Sequence, residues 1–338
     1  MRTLLISDLH LGTRLEYDVL RRPVALERLL AALEGVDRLV LLGDTVELME
    51  GRLHQAMAVA EPILRAIGRA MGPDGQVIVV PGNHDRPLVR AWARRTGEAL
   101  QPDSAVPLDA SPALARLVSW LAPASVRAFY PGVWLDERVW VTHGHYLDWH
   151  LMPVSSFGFA RGALRRLPRD EVPPIAYETA NRPSMTRATR WLPRPAATLI
   201  DDFAMLVRAS TMPREQRRRI LGTRLSPVTS HVLGVQMRRA SIPALARVVH
   251  RLGVNAEWVV FGHVHRLGPL VTDDVAEWRG PGGLPKIVNT GSWLYEPLLV
   301  HHAQPPHPYW PGGAIVLEDE AEPRAVGLLD DLPAAALH

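Results

Sequence analysis

Eight side chains able to bind a metal or move a proton follow apolar runs in this sequence: Asp8, His10, Asp44, Asn83, His84, His143, His263 and His265. In extended backbone, residues two apart project to the same side. Asp8 with His10, and His263 with His265, can therefore each offer two donors to one point. Oxygen ligands mixed with imidazole suit manganese, iron, zinc, cobalt or nickel, whereas magnesium and calcium favour oxygen alone. With His84 set aside, seven such groups are too many for one ion. They suit two ions about 3.5–4 Å apart bridged by one carboxylate, a pair that activates water for hydrolysis. A single polar turn such as Pro81-Gly82-Asn83-His84-Asp85 reads more simply as local hydrogen bonding by Asn and Asp. Recurrence of metal-type side chains at the ends of five apolar runs favours a site.

The elements that must carry these groups can be read from periodicity. Residues 3–6, 38–42, 77–80 and 258–261 are short apolar runs bounded by Gly, Pro or polar residues, as expected of buried strands. Leu26, Leu29, Leu30 and Leu33 mark one helical face, ended by Gly35. Met57, Ala60, Leu64, Ile67 and Met71 mark another, which Pro62 should start or kink. The order strand, helix, strand, helix, strand predicts a parallel sheet covered by helices. Ligand groups in such sheets lie outside the carboxyl ends of the strands. Residues 86–95 suggest a short helix, 102–123 mix loop signals with a helical pattern, and 133–135 with 139–142 suggest a hairpin. Further strands are expected at 270–272, 286–289, 314–317 and 325–328.

The chain has 338 residues, 47% of them hydrophobic, and no cysteine. That is enough apolar material for a core, and it excludes disulfides and thiolate metal sites. No apolar run is long enough to span a bilayer, and the first strand starts too early to leave room for a signal peptide, so a cytoplasmic location is expected. Formal net charge is +3 and the sequence pI about 9.6, with Lys286 the sole lysine. Arginine in place of lysine is a compositional habit of the whole chain and says little. Its clustering says more. Residues 151–251 hold eighteen arginines against six acidic residues. Helical faces at Ile200, Phe203, Ala204 and Val207, and at Ile242, Leu245, Val249 and Leu252, the latter capped by Ser241 and ended by Gly253, make this span a helical insertion. The expected organisation is a core over 1–148, an arginine-rich cap over 149–252 and the rest of the core over 253–338.

Five motifs carry a family resemblance: Asp8-Leu9-His10, Gly43-Asp44-Thr45-Val46-Glu47, Gly82-Asn83-His84-Asp85, His143-Gly144-His145 and Gly262-His263-Val264-His265. In this order they resemble the calcineurin-like metallophosphoesterases. The resemblance covers both ends of the chain and not the insertion. It implies a four-layer α/β/β/α sandwich. It also implies that Asp8, His10 and His265 hold one divalent ion, that Asn83, His143 and His263 hold the other, and that Asp44 bridges them. Manganese is the expected metal, with iron, zinc, cobalt or nickel as alternatives. His84 is implied to contact the phosphoryl group and to protonate the leaving oxygen. Glu47 reads equally as an acceptor behind a ligand or as an acid at a helix start. Asp85 is expected to orient local backbone or a histidine, and His145 to contact substrate or stand behind the ligands.

Specificity should lie in the insertion, since function sits in loops grafted on a shared fold. Apolar faces combined with arginines fit an amphiphilic phosphate. In this the chain resembles the UDP-2,3-diacylglucosamine diphosphatases, which carry a helical cap and cleave a pyrophosphate at the membrane surface. It departs from them at His84, where they commonly have Arg, and in a longer insertion. The expected partner is a phosphorylated lipid or small molecule, with peripheral contact at the inner face of the membrane. Three alternatives stay open: a nuclease using the arginines along a phosphate backbone, a cyclic-nucleotide or other small-molecule phosphodiesterase, and a non-catalytic scaffold. The sequence does not fix the oligomeric state.

Overall fold

The computed structural model describes residues 1–49, 53–150, 170–179, 240–300 and 303–338. Ten strands form one sheet: β1 Arg2–Ile6, β2 Arg38–Leu41, β3 Gln76–Val79, β4 Asp103–Val106, β5 Ser125–Trp134, β6 Val139–Thr142, β7 Trp258–Phe261, β8 Lys286–Asn289, β9 Gly313–Glu318 and β10 Arg324–Gly327. Their spatial order is β10-β9-β1-β2-β3-β5-β6-β7-β8, with β4 paired to β5. Two parallel blocks are present. One is β1, β2, β3 and the first half of β5; the other is β6, β7 and β8. The long strand β5 joins them: residues 125–128 lie parallel to β3, and 132–134 lie antiparallel to β6.

Strands buried on both faces lose the polar alternation of half-exposed ones, and the side chains here divide accordingly. Leu4, Ile6, Leu39, Leu41, Val77 and Val79 point into one apolar cluster with helices α1 (Pro23–Ala32), α2 (Leu53–Met71) and α4 (Pro112–Trp120); the short α3 (Arg90–Thr96) lies between the last two in sequence. Leu5, Val40, Ile78, Val141, Val260 and Val288 share a second cluster that draws from both parallel blocks. Trp140, Val259, Phe261 and Ile287 face a third, which includes Tyr177 of α5 (Ile175–Thr179) and Ile242, Leu245 and Val249 of the helical residues 240–251, here α6. Among the described residues no helix is long and apolar enough to cross a membrane.

Most sequence expectations meet their elements. Gly35 ends α1 at φ +69°, and Pro62 sits inside α2. Three expectations differ. Residues 270–272 form a turn instead of a strand, because the Asp273 carboxylate accepts the Leu270 N–H (2.9 Å) and a two-pronged bond from Arg266. The helix expected to start at Ser241 is already helical at residue 240. Within 102–123, the strand β4 was not expected; its pattern has only Val106 buried. The helical face at Ile200, Phe203, Ala204 and Val207 lies outside the described residues, as does most of the span assigned to the cap.

The helix α2 packs closely at Gly68 on the residue that follows α4. A Cβ added there would lie 2.4 Å from the Leu121 carbonyl oxygen. Gly68→Ala should therefore cost about 1–3 kcal/mol of stability by overpacking, read as a lower urea midpoint; an unchanged midpoint would contradict this close approach.

Candidate metal centre

Asp8 follows β1, Asp44 follows β2, Asn83 follows β3, His143 follows β6 and His263 follows β7. The end of β3 pairs opposite Ala128 and the end of β6 opposite Gly132, so the carboxyl ends of the two oppositely directed blocks meet near the middle of β5. The backbone there is unusual. Asp8 (φ 54°), His10 (42°), Asp44 (50°), His263 (68°) and His265 (56°) all adopt left-handed conformations. Non-glycine residues rarely do so, at a cost of roughly 1–3 kcal/mol each, and such residues cluster at functional sites. The turns are pinned by main-chain bonds: Asp8 N–H to Gly43 O (3.0 Å), His10 N–H to Asp44 O (2.8 Å), and His263 N–H to the Asp8 carboxylate (2.9 Å).

The side chains converge. Asp8, His10 and His265 form one group whose ligand atoms all lie within 4.8 Å of one another; Asp44, His143 and His263 form a second, and His10, Asp44 and His84 a third. Asp44 belongs to two groups, its Oδ2 lying 3.1 Å from His143 Nε2 and 3.7 Å from His10 Nε2. Asp8 Oδ1 lies 3.3 Å from His265 Nε2. Asn83 Oδ1 is 3.2 Å from His143 Nε2. Glycines make room for this packing. A Cβ on Gly43 would lie 2.3 Å from His143 Nδ1, and one on Gly82 would lie 2.3 Å from Asp44 Oδ1.

Three rings are oriented from behind through Nδ1. His143 Nδ1 donates to Leu42 O (3.0 Å), His10 Nδ1 lies 3.0 Å from Glu47 Oε2, and His265 Nδ1 lies 2.6 Å from Glu296 Oε1. Nε2 of each ring thus turns toward Asp8 and Asp44. This is the arrangement of a metal-binding imidazole, whose outer nitrogen bonds a carbonyl or carboxylate. Asp8 Oδ1 and His10 Nε2 are buried and make no hydrogen bond. Buried polar atoms are normally satisfied, so a cation between them suits this chemistry. A pair of divalent ions fits the residues present.

Electrostatics agree. Burial pushes the Asp8 carboxyl up, but the His265 and His143 imidazoles more than offset it and hold it at about 2. Burial also raises Asp44, yet His143, His10 and His84 together hold it well below the usual carboxylate range. Burial lowers the His143 imidazole, and the Asp44 and Asp8 carboxylates reverse this to about 9. Asp85 is pushed up to about 6, first by burial and then by Asp44. Its carboxylate accepts the Thr45 N–H (2.8 Å) and the Gly82 N–H, tying two motif loops together.

The remaining expected residues fall close by. Glu47 Oε2 lies 3.0 Å from His10 Nδ1 and 2.7 Å from His84 Nδ1, and the His10 and His84 ring centroids are 4.6 Å apart in an edge-to-face arrangement. His145 is buried with its ring 5.6 Å from that of His143. Sequence reasoning gave no role to three acids. Asp148 Oδ1 lies 2.9 Å from His263 Nε2, Glu296 backs His265, and Glu178 bonds Tyr146. Asp148 could have been found, since it stands five residues after His143. Glu296 and Glu178 follow no motif and only the fold brings them in.

The calcineurin-like phosphoesterase family pattern matches residues 1–184. The match covers more than half the chain, and the chain belongs to that family. No curated protein matches the sequence. Among solved structures, the nuclease MPE from Pseudomonas putida is similar at 22% identity and a TM-score of 0.25, over 42% of this chain and 53% of that one. The alignment thus spans about half of that nuclease chain.

Ligand nitrogens must be unprotonated to bind metal. At pH 7 the metal-free His143, at about 9, carries a proton. Manganese uptake should therefore release protons, and affinity should weaken as pH falls from 9 toward 6. Calorimetry in buffers of different ionisation enthalpy checks this; uptake with no buffer dependence would contradict it.

Proposed function

We propose that this chain is a hydrolase of phosphoester or pyrophosphate bonds that works with two divalent ions, manganese by preference. The observation that carries the reading is the convergence of three carboxylate and imidazole groups on Asp44 and Asp8, where the carboxyl ends of the two strand blocks meet. Asp8, His10 and His265 would hold one ion and Asn83, His143 and His263 the other, with Asp44 shared. When bound, such ions supply charge neutralisation at the phosphoryl oxygens and an activated water for in-line attack. Glu47 fixes the His10 and His84 rings through Nδ1. His84 is the most exposed imidazole of the set, at 27%. Its remaining nitrogen, Nε2, is thereby the group suited to donate a proton to the leaving oxygen. Asp85 keeps the loops of Asp44 and Asn83 in register.

Three apolar clusters, one between the parallel blocks and one outside each, support a four-layer α/β/β/α arrangement. We assign residues 1–148 and 253–338 to that core and 149–252 to the cap. The substrate we favour is an amphiphilic phosphate such as a UDP-diacylglucosamine-like lipid nucleotide, met at the inner face of the membrane. The excess of arginine over acid in 151–251, interleaved with apolar helical faces, supports this choice.

Turnover under manganese of UDP-diacylglucosamine, a chromogenic bis-ester, cyclic AMP and single-stranded DNA tests the substrate. Cleavage of the lipid nucleotide is expected; cleavage of DNA alone would overturn the choice. Asp44→Ala should abolish turnover of every substrate and lose bound metal, and near-native rates in that variant would contradict the shared carboxylate.

A further inference from the structure

Behind His143 lies a second buried polar cluster that the metal centre does not use. Its hub is Glu178, whose side chain is only 3% exposed. This residue sits in the short helix α5, outside the five motifs. Its carboxylate accepts hydrogen bonds from the hydroxyls of Tyr130 on β5 and Tyr146 (2.8 Å) and pairs with the Arg86 guanidinium. Arg86 also donates to the Glu178 carbonyl oxygen at 3.1 Å. Burial alone would raise the Glu178 carboxyl. His145, Tyr130 and Arg86 hold it at about 2 instead, so it is an acceptor only.

That fixes the direction of the next bond. A phenol has one proton, and Tyr130 gives its proton to Glu178. Toward His145 Nε2, 3.2 Å away, the Tyr130 oxygen can then only accept. His145 must present Nε2–H, which in the neutral ring leaves Nδ1 as a bare lone pair. His145 Nδ1 is buried and makes no hydrogen bond. Three of the metal-facing rings do the reverse: His10, His143 and His265 are held through Nδ1 and keep Nε2 inward. His145, with its ring 5.6 Å from that of His143, is held through Nε2, as His263 is by Asp148.

We propose that Glu178 and Tyr130 are positioning residues that set the tautomer of His145, so that Nδ1 serves as a hydrogen-bond acceptor for a proton-bearing group, such as a hydroxyl of the substrate, at the metal centre. The relay runs Arg86, Glu178, Tyr130, His145. It links a helix within the arginine-rich span 151–251 with the loops that follow Asn83 and His143. The tautomer assignment stands on these hydrogen bonds with Glu178 as an ionised acceptor; the acceptor role rests on the hydrolase reading above.

The test is nitrogen-15 NMR of histidine-labelled full-length chain, with the His145 signals assigned by their loss in His145→Gln. The native chain should show a protonated Nε2 and a bare Nδ1 on His145. In Glu178→Ala the freed Tyr130 hydroxyl can donate to Nε2, and the tautomer should move toward Nδ1–H. Should that variant not fold, Tyr130→Phe replaces it, with loss of the single tautomer expected. A native Nδ1–H, or a tautomer unmoved in whichever variant folds, overturns the relay. Turnover then tests the role. His145→Asn keeps an acceptor near the Nδ1 position and should retain more kcat than His145→Gln, which keeps only the outer donor. Glu178→Ala should lose roughly 10–100-fold in kcat with KM little changed. Equal loss in the Asn and Gln variants overturns the acceptor role. A chain with the expected tautomer and no phosphoesterase activity would sink the hydrolase reading and leave the relay standing.

Discussion

A buried carboxylate needs a positive partner or it will not stay charged, and this constraint governs the place where the carboxyl ends of the two strand blocks meet. Asp8 and Asp44 are both fully buried and each raises the proton affinity of the other. Among the described residues imidazoles counter them, and these must hold protons to do so; the His263 and His84 N–H groups add hydrogen bonds. Burying charge without pairing costs several kcal/mol. The metal-free site therefore holds a proton load that a pair of cations would replace. The left-handed turns at Asp8, His10, Asp44, His263 and His265 serve the same end. Each turn costs backbone energy, and each carries a side chain that joins the cluster around Asp8 and Asp44.

The rest of the fold is the frame that makes these costs bearable. Parallel strands buried on both faces supply the apolar area, and their ends are held level by main-chain bonds between neighbouring loops, as in Leu42 N–H to Ile6 O (2.8 Å) and Gly262 N–H to His143 O (3.0 Å). β5 lets one sheet serve two blocks, so Asp8, Asp44 and Asn83 from one meet His143 and His263 from the other. Gly43 and Gly82 are required by this approach, because a methyl group at either would overlap the site itself.

Much of this was legible before any coordinates. Apolar runs of four residues ending in Asp, Asn or His gave both the strands and the ligand candidates, because burial on both faces and delivery of polar groups at strand ends leave the same mark in sequence. The pairing of Glu47 with His10 and His84 was half visible, since the acid followed Asp44 at a plausible distance. Other features left no such mark. β4 has one buried side chain and a polar remainder, so it has no apolar period to detect. Glu296 and Glu178 lie far in sequence from the rings they affect, and no spacing rule reaches them. Residues 270–272 look like a strand by composition, but Val271 is fully exposed and the Asp273 carboxylate turns the chain. The face of Ile242, Leu245 and Val249 has the helical period expected of it, and it packs against Trp140, Val259, Phe261 and Ile287 of β6 to β8, a contact that no spacing rule reveals.

In the function proposed above, Asp44 and the six groups around it clasp two cations. Anomalous diffraction from crystals grown with manganese tests it directly. The account predicts two peaks, both within bonding reach of Asp44, one shared with His10 and the other with His143. A single peak, or manganese bound elsewhere with these groups left to their own hydrogen bonds, would contradict it.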